Sequence, residues 1–100
     1  MLNVEKKENG QELEFVISGR LDTMTAPELE AHLKDRLEGI SSLILDITGL
    51  SYISSAGLRV LLSTQKVMNK QGRMVIRGAS PEVMEIFDVT GFVDILVIEQ

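Results

Sequence analysis

Short apolar runs of strand length alternate with helix-start signals along this chain, and the alternation limits the folds open to it. One apolar run covers residues 43–47 and another covers residues 74–76, with a helical pattern between them. Strands separated by helices are joined by right-handed crossovers within one sheet. The pattern therefore predicts an α/β domain with the order β-β-α-β-α-β-α-β and a mixed sheet whose later strands are parallel.

The individual strands are predicted from different signals. Leu2 and Val4 alternate with polar neighbours, and apolar residues 13–17 follow a turn signal, which indicates a β-hairpin. The nearly continuous run at residues 43–47 is typical of a central strand covered on both faces. The mostly apolar residues 93–98 predict a last strand.

Capping residues define the first predicted helix, from about residue 26 to residue 38. Thr25 is the predicted N-cap, Pro27 lies in the first turn, and Glu28 completes a capping box. Gly39 follows at a position where glycine commonly ends a helix. The predicted buried face consists of Leu29, Leu33 and Leu37.

The second and third predicted helices are bounded in the same way. The second ends at Gly72, and the third begins at Ser80, an N-cap residue, and ends at Gly91. The residues interpreted as core filling include Met24, Met68, Met74 and Met84.

The overall composition limits the classes of function. The 100 residues are 44% hydrophobic and 25% charged, which is typical of one globular domain. The absence of cysteine excludes disulfides and thiolate metal sites, and it is compatible with a reducing cytoplasm. A net charge of −5 with dispersed basic residues argues against binding nucleic acid or anionic lipid. The same charge predicts a protein partner with a basic or mixed surface. Without a signal-peptide pattern or a long apolar stretch, we expect no membrane insertion.

Two adjacent serines, Ser54 and Ser55, lie between a strand-like run and a helix-like run. Serine at a helix start can cap the helix, bind an anion or accept a phosphate. The free N–H groups of a first turn and the helix dipole favour a negative group, so a phosphate there could change the surface without unfolding the domain. Plain capping, and an anion site for a nucleotide or small molecule, remain alternatives at this point.

Few residues of the sequence are suited to catalysis or metal binding. The single histidine, His32, lies in the middle of the first predicted helix, so neither serine has a general base beside it. Asp22 and Asp46 come from separate segments, and no carboxylate cluster supports a metal site. Asp22 is interpreted as a turn residue that accepts from nearby backbone N–H groups. We expect no enzymatic activity, no cofactor and no metal.

Four motifs resemble those of the STAS domain family of bacterial anti-sigma factor antagonists, and the resemblance covers essentially all 100 residues. Gly-Arg-Leu-Asp at residues 19–22 resembles the family's Gly-x-Leu-Asp loop, and residues 43–47 resemble its central strand. Ser-Ser-Ala-Gly-Leu at residues 54–58 resembles its serine switch, and residues 87–91 resemble the end of its third helix. The resemblance implies one STAS domain over residues 1–100, with a four- to five-stranded sheet and helices mainly on one face.

The resemblance also implies a regulated binding protein in the cytoplasm. In the family, an anti-sigma factor kinase of the GHKL type phosphorylates the serine, and the unphosphorylated form binds that kinase and frees the sigma factor. A PP2C-type phosphatase restores the binding form. By position, Ser55 is the implied phosphoacceptor and Ser54 is the second choice. The implied partner-binding residues are Asp22, Thr23, Ser54, Ser55, Ala56, Gly57 and Arg59.

Two positions depart from the family pattern. Ser54 replaces the aspartate before the acceptor, and Arg59 replaces a frequent glycine. The change at Ser54 favours an alternative, a non-phosphorylated STAS subunit that docks on a transporter ATPase or a stress-signalling scaffold. Family members often add a helix after the last strand, where this sequence reaches Gln100, so we expect a partner or a weak homodimer to cover the sheet.

Overall fold

A computed structural model describes residues 2–99. The elements are β1 (Leu2–Asn9), β2 (Glu12–Leu21), α1 (Ala26–Lys34), β3 (Ser42–Ile53), α2 (Ser55–Gln71), β4 (Arg73–Arg77), α3 (Pro81–Thr90), a 3₁₀ turn (Phe92–Asp94) and β5 (Ile98–Glu99). The strands form one sheet in the spatial order β1-β2-β3-β4-β5. The β1–β2 pair is antiparallel and the other three pairs are parallel. The predicted α/β class, order of elements and mixed sheet are confirmed.

One face of the sheet carries the core. Alternate residues of β2 and β3 are buried and lie side by side, Leu13 beside Leu43 and Phe15 beside Leu45. All three α-helices add side chains to the same hydrophobic cluster, so they pack on this face. Ile44, which points to the other face, is half-buried. The expectation that β3 is covered on both faces is wrong. An apolar run shows that a strand is buried, but the packing of the helices determines which of its faces is covered.

The first helix ends at Lys34, about one turn before its predicted end. Leu37 and Ile40 are still buried, in a turn beyond the helix that Gly39 bends with a φ of 80°. The side-chain amide of Gln71, at the end of α2, donates to the carbonyls of Leu37 and Ile40 at 2.7 and 2.8 Å. Because a distant side chain satisfies these carbonyls, the chain leaves the helix without losing their hydrogen bonds.

The helix caps mostly follow the sequence. Ser80 caps α3 by accepting from the N–H of Val83 at 3.2 Å. Gly72 and Gly91 are the C-cap residues of α2 and α3, as predicted. Thr25 precedes α1, but its side chain makes no capping hydrogen bond, so the predicted capping box is wrong. Its hydroxyl is instead used in the loop before the helix.

The end of the chain differs from the strand predicted over residues 93–98. Phe92–Asp94 forms a 3₁₀ turn, and Ile98–Glu99 is the part that pairs with β4. Gly91 ends α3 with a φ of 80°, and the N–H of Leu96 then donates to the first carbonyl of the turn at 2.9 Å. The apolar residues of this segment form a helical turn, after which Leu96 is buried. Their apolar character therefore does not indicate a strand.

Candidate functional site

The two segments singled out from the sequence meet at one edge of the sheet. β2 ends at Leu21 and β3 ends at Ile53, and these residues are partners in the parallel β2–β3 pair. The N–H of Ser54 donates to the carbonyl of Leu21 at 2.8 Å. The carboxyl ends of parallel strands are where α/β sheets commonly carry functional groups. The Asp22 loop (residues 22–25) and the serine pair therefore leave the sheet side by side, and we call the surface that they form the serine edge.

The two serines play different parts at the start of α2. β3 continues to Ile53 and α2 begins at Ser55, so Ser54 alone connects the strand to the helix. Ser54 is the N-cap, and its Oγ accepts from the N–H of Gly57 at 3.3 Å. Ser55 is exposed, and its hydroxyl makes no hydrogen bond with the described residues. The fold uses one hydroxyl and leaves the other free.

Gly57 lets α2 begin directly against the strand ends. A Cβ at this buried position would lie 2.7 Å from Leu21 Cγ and 2.9 Å from Ile53 Cγ1, closer than side chains pack. Glycine therefore sets how closely the helix start approaches the sheet. The position of Ser55 depends on that approach.

Asp22 organises the loop between β2 and α1. Its Oδ1 accepts from the N–H groups of Met24 and Thr25 at 3.0 and 3.1 Å. The Thr25 hydroxyl donates to the Arg20 carbonyl at 2.8 Å and accepts from the Asp22 N–H at 2.9 Å. The hydrogen bond from the Thr25 N–H is the main cause that lowers the pKa of the Asp22 carboxyl below its ordinary value. The interpretation of Asp22 as a turn residue is confirmed.

The tip of the Asp22 loop is exposed. Thr23 and Met24 occupy the two central positions of the turn, and Met24 is 85% exposed. The prediction that Met24 fills the core is therefore wrong, because the turn directs its side chain outward. The other three methionines predicted for the core are buried or half-buried.

A shallow recess of about 220 Å³ lies between the first turns of α1 and α2, and Thr23 of the Asp22 loop also lines it. Thr23, Ala56 and Arg59 line it, so three residues from the two predicted segments share one surface. Arg59 is exposed and has no ion-pair partner within residues 2–99.

Two residues that the sequence pattern did not assign to the site lie beside it. Arg20 and Tyr52 are partners across β2 and β3, and the Arg20 Cζ lies 4.5 Å from the centroid of the Tyr52 ring. The Arg20 Nε is 3.7 Å from Oδ2 of Asp22. One sequence signal could have placed these two residues. Each directly precedes a core residue, Leu21 or Ile53, so its side chain points to the opposite face of the sheet.

The residues considered for other functions are not brought together. His32 is exposed on α1, with its ring 6.5 Å from that of Phe15. Asp46 lies in the first half of β3, where a hydrogen bond from the Thr48 hydroxyl at 2.7 Å lowers its pKa, whereas Asp22 follows the end of β2. In the described part of the chain, no group of three or more metal-ligating side chains is placed to hold an ion. Over the same residues, no helix has both the length and the apolar character to cross a membrane.

Solved structures share this fold. An anti-sigma factor antagonist from Mycobacterium paratuberculosis superposes with a TM-score of 0.89 at 19% identity, over 98% of this chain and 85% of that chain. The anti-sigma factor antagonist SpoIIAA in its unphosphorylated form gives a TM-score of 0.84 at 17% identity, over 98% of this chain and 89% of that chain. These similarities show that the fold is shared.

Sequence similarity defines the family. The model of the STAS domain matches residues 3–100. The anti-sigma-B factor antagonist of Bacillus subtilis strain 168 is 33% identical over 96 residues, which cover 95% of this chain and 88% of the relative. This chain therefore belongs to the STAS domain family.

Proposed function

We propose that this chain is an anti-sigma factor antagonist, which binds an anti-sigma factor at the serine edge and so releases a sigma factor for transcription. The names of the Bacillus subtilis relative and of the Mycobacterium paratuberculosis structure support the proposal. The proposed contact residues are Asp22, Thr23, Ser54, Ser55, Ala56 and Arg59, with Gly57 setting the position of the helix start. The chain acts in the cytoplasm, by binding and not by catalysis.

Reversible phosphorylation of Ser55 controls this binding. The observation that carries the assignment is that the Ser55 hydroxyl is exposed and free, whereas the Ser54 hydroxyl caps α2. A phosphate on Ser55 adds about −1.5 to −2 charges at pH 7. The first turn of α2 has no acidic residue to repel this charge, and the helix dipole stabilises it within the domain. In an interface the same charge is repelled or poorly solvated, so affinity falls while the fold persists.

Two solved forms of SpoIIAA support the proposal that this fold can carry a phosphate without unfolding. SpoIIAA has been solved in unphosphorylated and phosphorylated forms, with TM-scores to this chain of 0.84 and 0.75. The phosphorylated form covers 98% of this chain at 16% identity.

The proposed partners supply the catalytic groups. An anti-sigma factor kinase of the GHKL type transfers the terminal phosphoryl group of ATP to the Ser55 hydroxyl, and a PP2C-type phosphatase removes it. Ser55 has no general base of its own, because the single histidine of the chain lies on α1 against Phe15.

Phosphorylation is tested with ATP and the anti-sigma factor kinase from the same genome, and the product is mapped by mass spectrometry. We expect phosphate on Ser55, lost in Ser55→Ala and kept in Ser41→Ala. Ser41 is a matched control because it precedes β3 at the opposite end of the sheet. Phosphate on Ser54 instead of Ser55 would assign the switch to the capping residue. If neither serine carries phosphate, the proposed phosphoswitch is contradicted.

Binding is tested by titrating the same kinase with charge variants. Ser55→Asp should weaken binding at least tenfold, which corresponds to about 1.4 kcal/mol. Ser55→Ala and the control Ser41→Asp should bind nearly as wild type. Equal affinities of Ser55→Asp and Ser55→Ala contradict an electrostatic switch.

A second candidate function is docking without phosphorylation, on a transporter ATPase or a stress-signalling scaffold. The observation that favours it is the neutral capping serine, Ser54, at the position where the family has aspartate. Neighbouring genes separate the two functions, because kinase or phosphatase genes support the first and transporter subunits support the second.

A further inference from the structure

We propose that Arg20, held over Tyr52, is a second contact point for the protein partner and receives an acidic side chain from it. The inference rests on the proposed function for the identity of the partner, but it concerns a different surface. Leu21 and Ile53 face the core, so the preceding residues, Arg20 and Tyr52, project from the sheet face opposite the helices. This surface adjoins the Asp22 loop and extends the serine edge onto the open face.

The backbone beside Arg20 is shaped to aim its side chain. The β2–β3 register shifts between Gly19 and Arg20, as at a β-bulge. Gly19 has a φ of 99°, which other residues rarely adopt, and its carbonyl accepts from the Ser51 hydroxyl at 2.9 Å. Bulges re-aim side chains and are frequent beside functional sites. The bulge therefore contributes to the position of the Arg20 guanidinium over the Tyr52 ring.

The Arg20 guanidinium has two neighbours that orient it, and it retains free donors. The Tyr52 ring supports its face at 4.5 Å, and Nε lies 3.7 Å from Oδ2 of Asp22. Its N–H groups donate no hydrogen bond to any residue in the range 2–99. A guanidinium held in this way loses little side-chain freedom on binding, and its planar edge matches the two oxygens of a carboxylate.

The positive charge and the free donors of Arg20 favour an acidic side chain as its occupant. The chain carries a net charge of −5, so the proposed partner has a basic or mixed surface, and the exposed guanidinium fixes the position of one acidic side chain on that surface. The side chain of Arg20 is 55% exposed and Tyr52 is 38% exposed. Asp22 does not occupy the guanidinium fully, because its Oδ1 is engaged by the N–H groups of Met24 and Thr25. Arginine and tyrosine are also the residue types that often dominate interface affinity.

The test titrates the purified anti-sigma factor kinase from the same genome with arginine variants. Arg20→Ala should weaken binding at least tenfold, and the loss should shrink as salt rises. Arg20→Lys, which keeps the charge but not the planar edge, should lose less. Arg36→Ala is the matched control, because Arg36 is similarly exposed and its one ion pair, with Glu8, is 3.8 Å long. It should bind as wild type.

A second measurement separates direct contact from an effect on the Asp22 loop. Hydrogen exchange of the Met24 and Thr25 amides should be as slow in Arg20→Ala as in wild type. Weaker binding with faster exchange overturns the inference, because Arg20 would then act by holding the loop. Unchanged affinity of Arg20→Ala overturns it as well, while weaker binding of Ser55→Asp keeps the proposed function. If neither variant alters affinity, both proposals fail.

Discussion

Replacing Gly57 with alanine tests whether the close approach of α2 to the sheet sets the geometry of the serine edge. The new Cβ would lie 2.7 Å from Leu21 Cγ and 2.9 Å from Ile53 Cγ1. Leu21 is 1% exposed and Ile53 is 2% exposed, so neither can move without disturbing the core. We expect the first turn of α2 to move outward, and Ser55 to move with it.

The magnitude follows from two opposing contributions to the free energy of unfolding. Inserting a methyl group into a packed core costs about 1–3 kcal/mol. Alanine in place of glycine in a helix returns up to about 1 kcal/mol. The difference is about 0–3 kcal/mol. Because Leu21 and Ile53 are both buried, we expect a net loss of about 1–2 kcal/mol, which lowers the Tm of a domain of this size by roughly 4–16 °C.

Thermal unfolding measures the loss of stability, and the rate of the proposed phosphorylation by the anti-sigma factor kinase measures the displacement of Ser55. Gly39→Ala is the control, because a Cβ there meets open space but the φ of 80° strains it. Both variants should lose stability, and Gly57→Ala alone should be phosphorylated more slowly. A Gly57→Ala protein that is as stable as wild type, or is phosphorylated at the wild-type rate, refutes the reasoning.

Two further predictions concern neighbouring side chains. Ser54→Ala removes the N-cap and should cost about 0.5–2 kcal/mol in urea unfolding, whereas Ser54→Asp keeps an acceptor and should lose little; equal stability of Ser54→Ala and wild type contradicts the cap. The lowered pKa of Asp22 means that its hydrogen bonds stabilise the fold above the ordinary pKa of 3.8 and lose this effect as the pH falls through the lower folded value. The difference in Tm between wild type and Asp22→Ala should therefore shrink on acidification, and a constant difference argues against the linkage.

Local chemistry could be predicted from the sequence. The Ser80 cap involves a backbone N–H three residues away, and the Asp22 turn involves N–H groups two and three residues away. Gly72 and Gly91 end their helices through bonds to carbonyls within the last turn. Such contacts need no knowledge of the rest of the fold.

Elements that depend on distant partners were mispredicted. The end of α1 depends on Gln71, which is 34 residues beyond Leu37. The last strand is limited to Ile98–Glu99, because only these residues pair with the distant strand β4. Residues 43–47 are covered on one face, because all three helices pack on the face opposite to the Ile44 side chain. Apolar composition indicates that residues are buried, but it does not tell which element covers them.

The sequence by itself determined that two serines stand at a helix start and that Asp22 forms a turn, because both features arise between residues a few positions apart. The tertiary structure decided that these segments meet, that Ser54 caps while the Ser55 hydroxyl stays free, and that Arg20 lies over Tyr52. The physical reason is the register of β2 on β3. That register joins residues more than thirty positions apart, as the Ser51–Gly19 hydrogen bond does at a separation of 32.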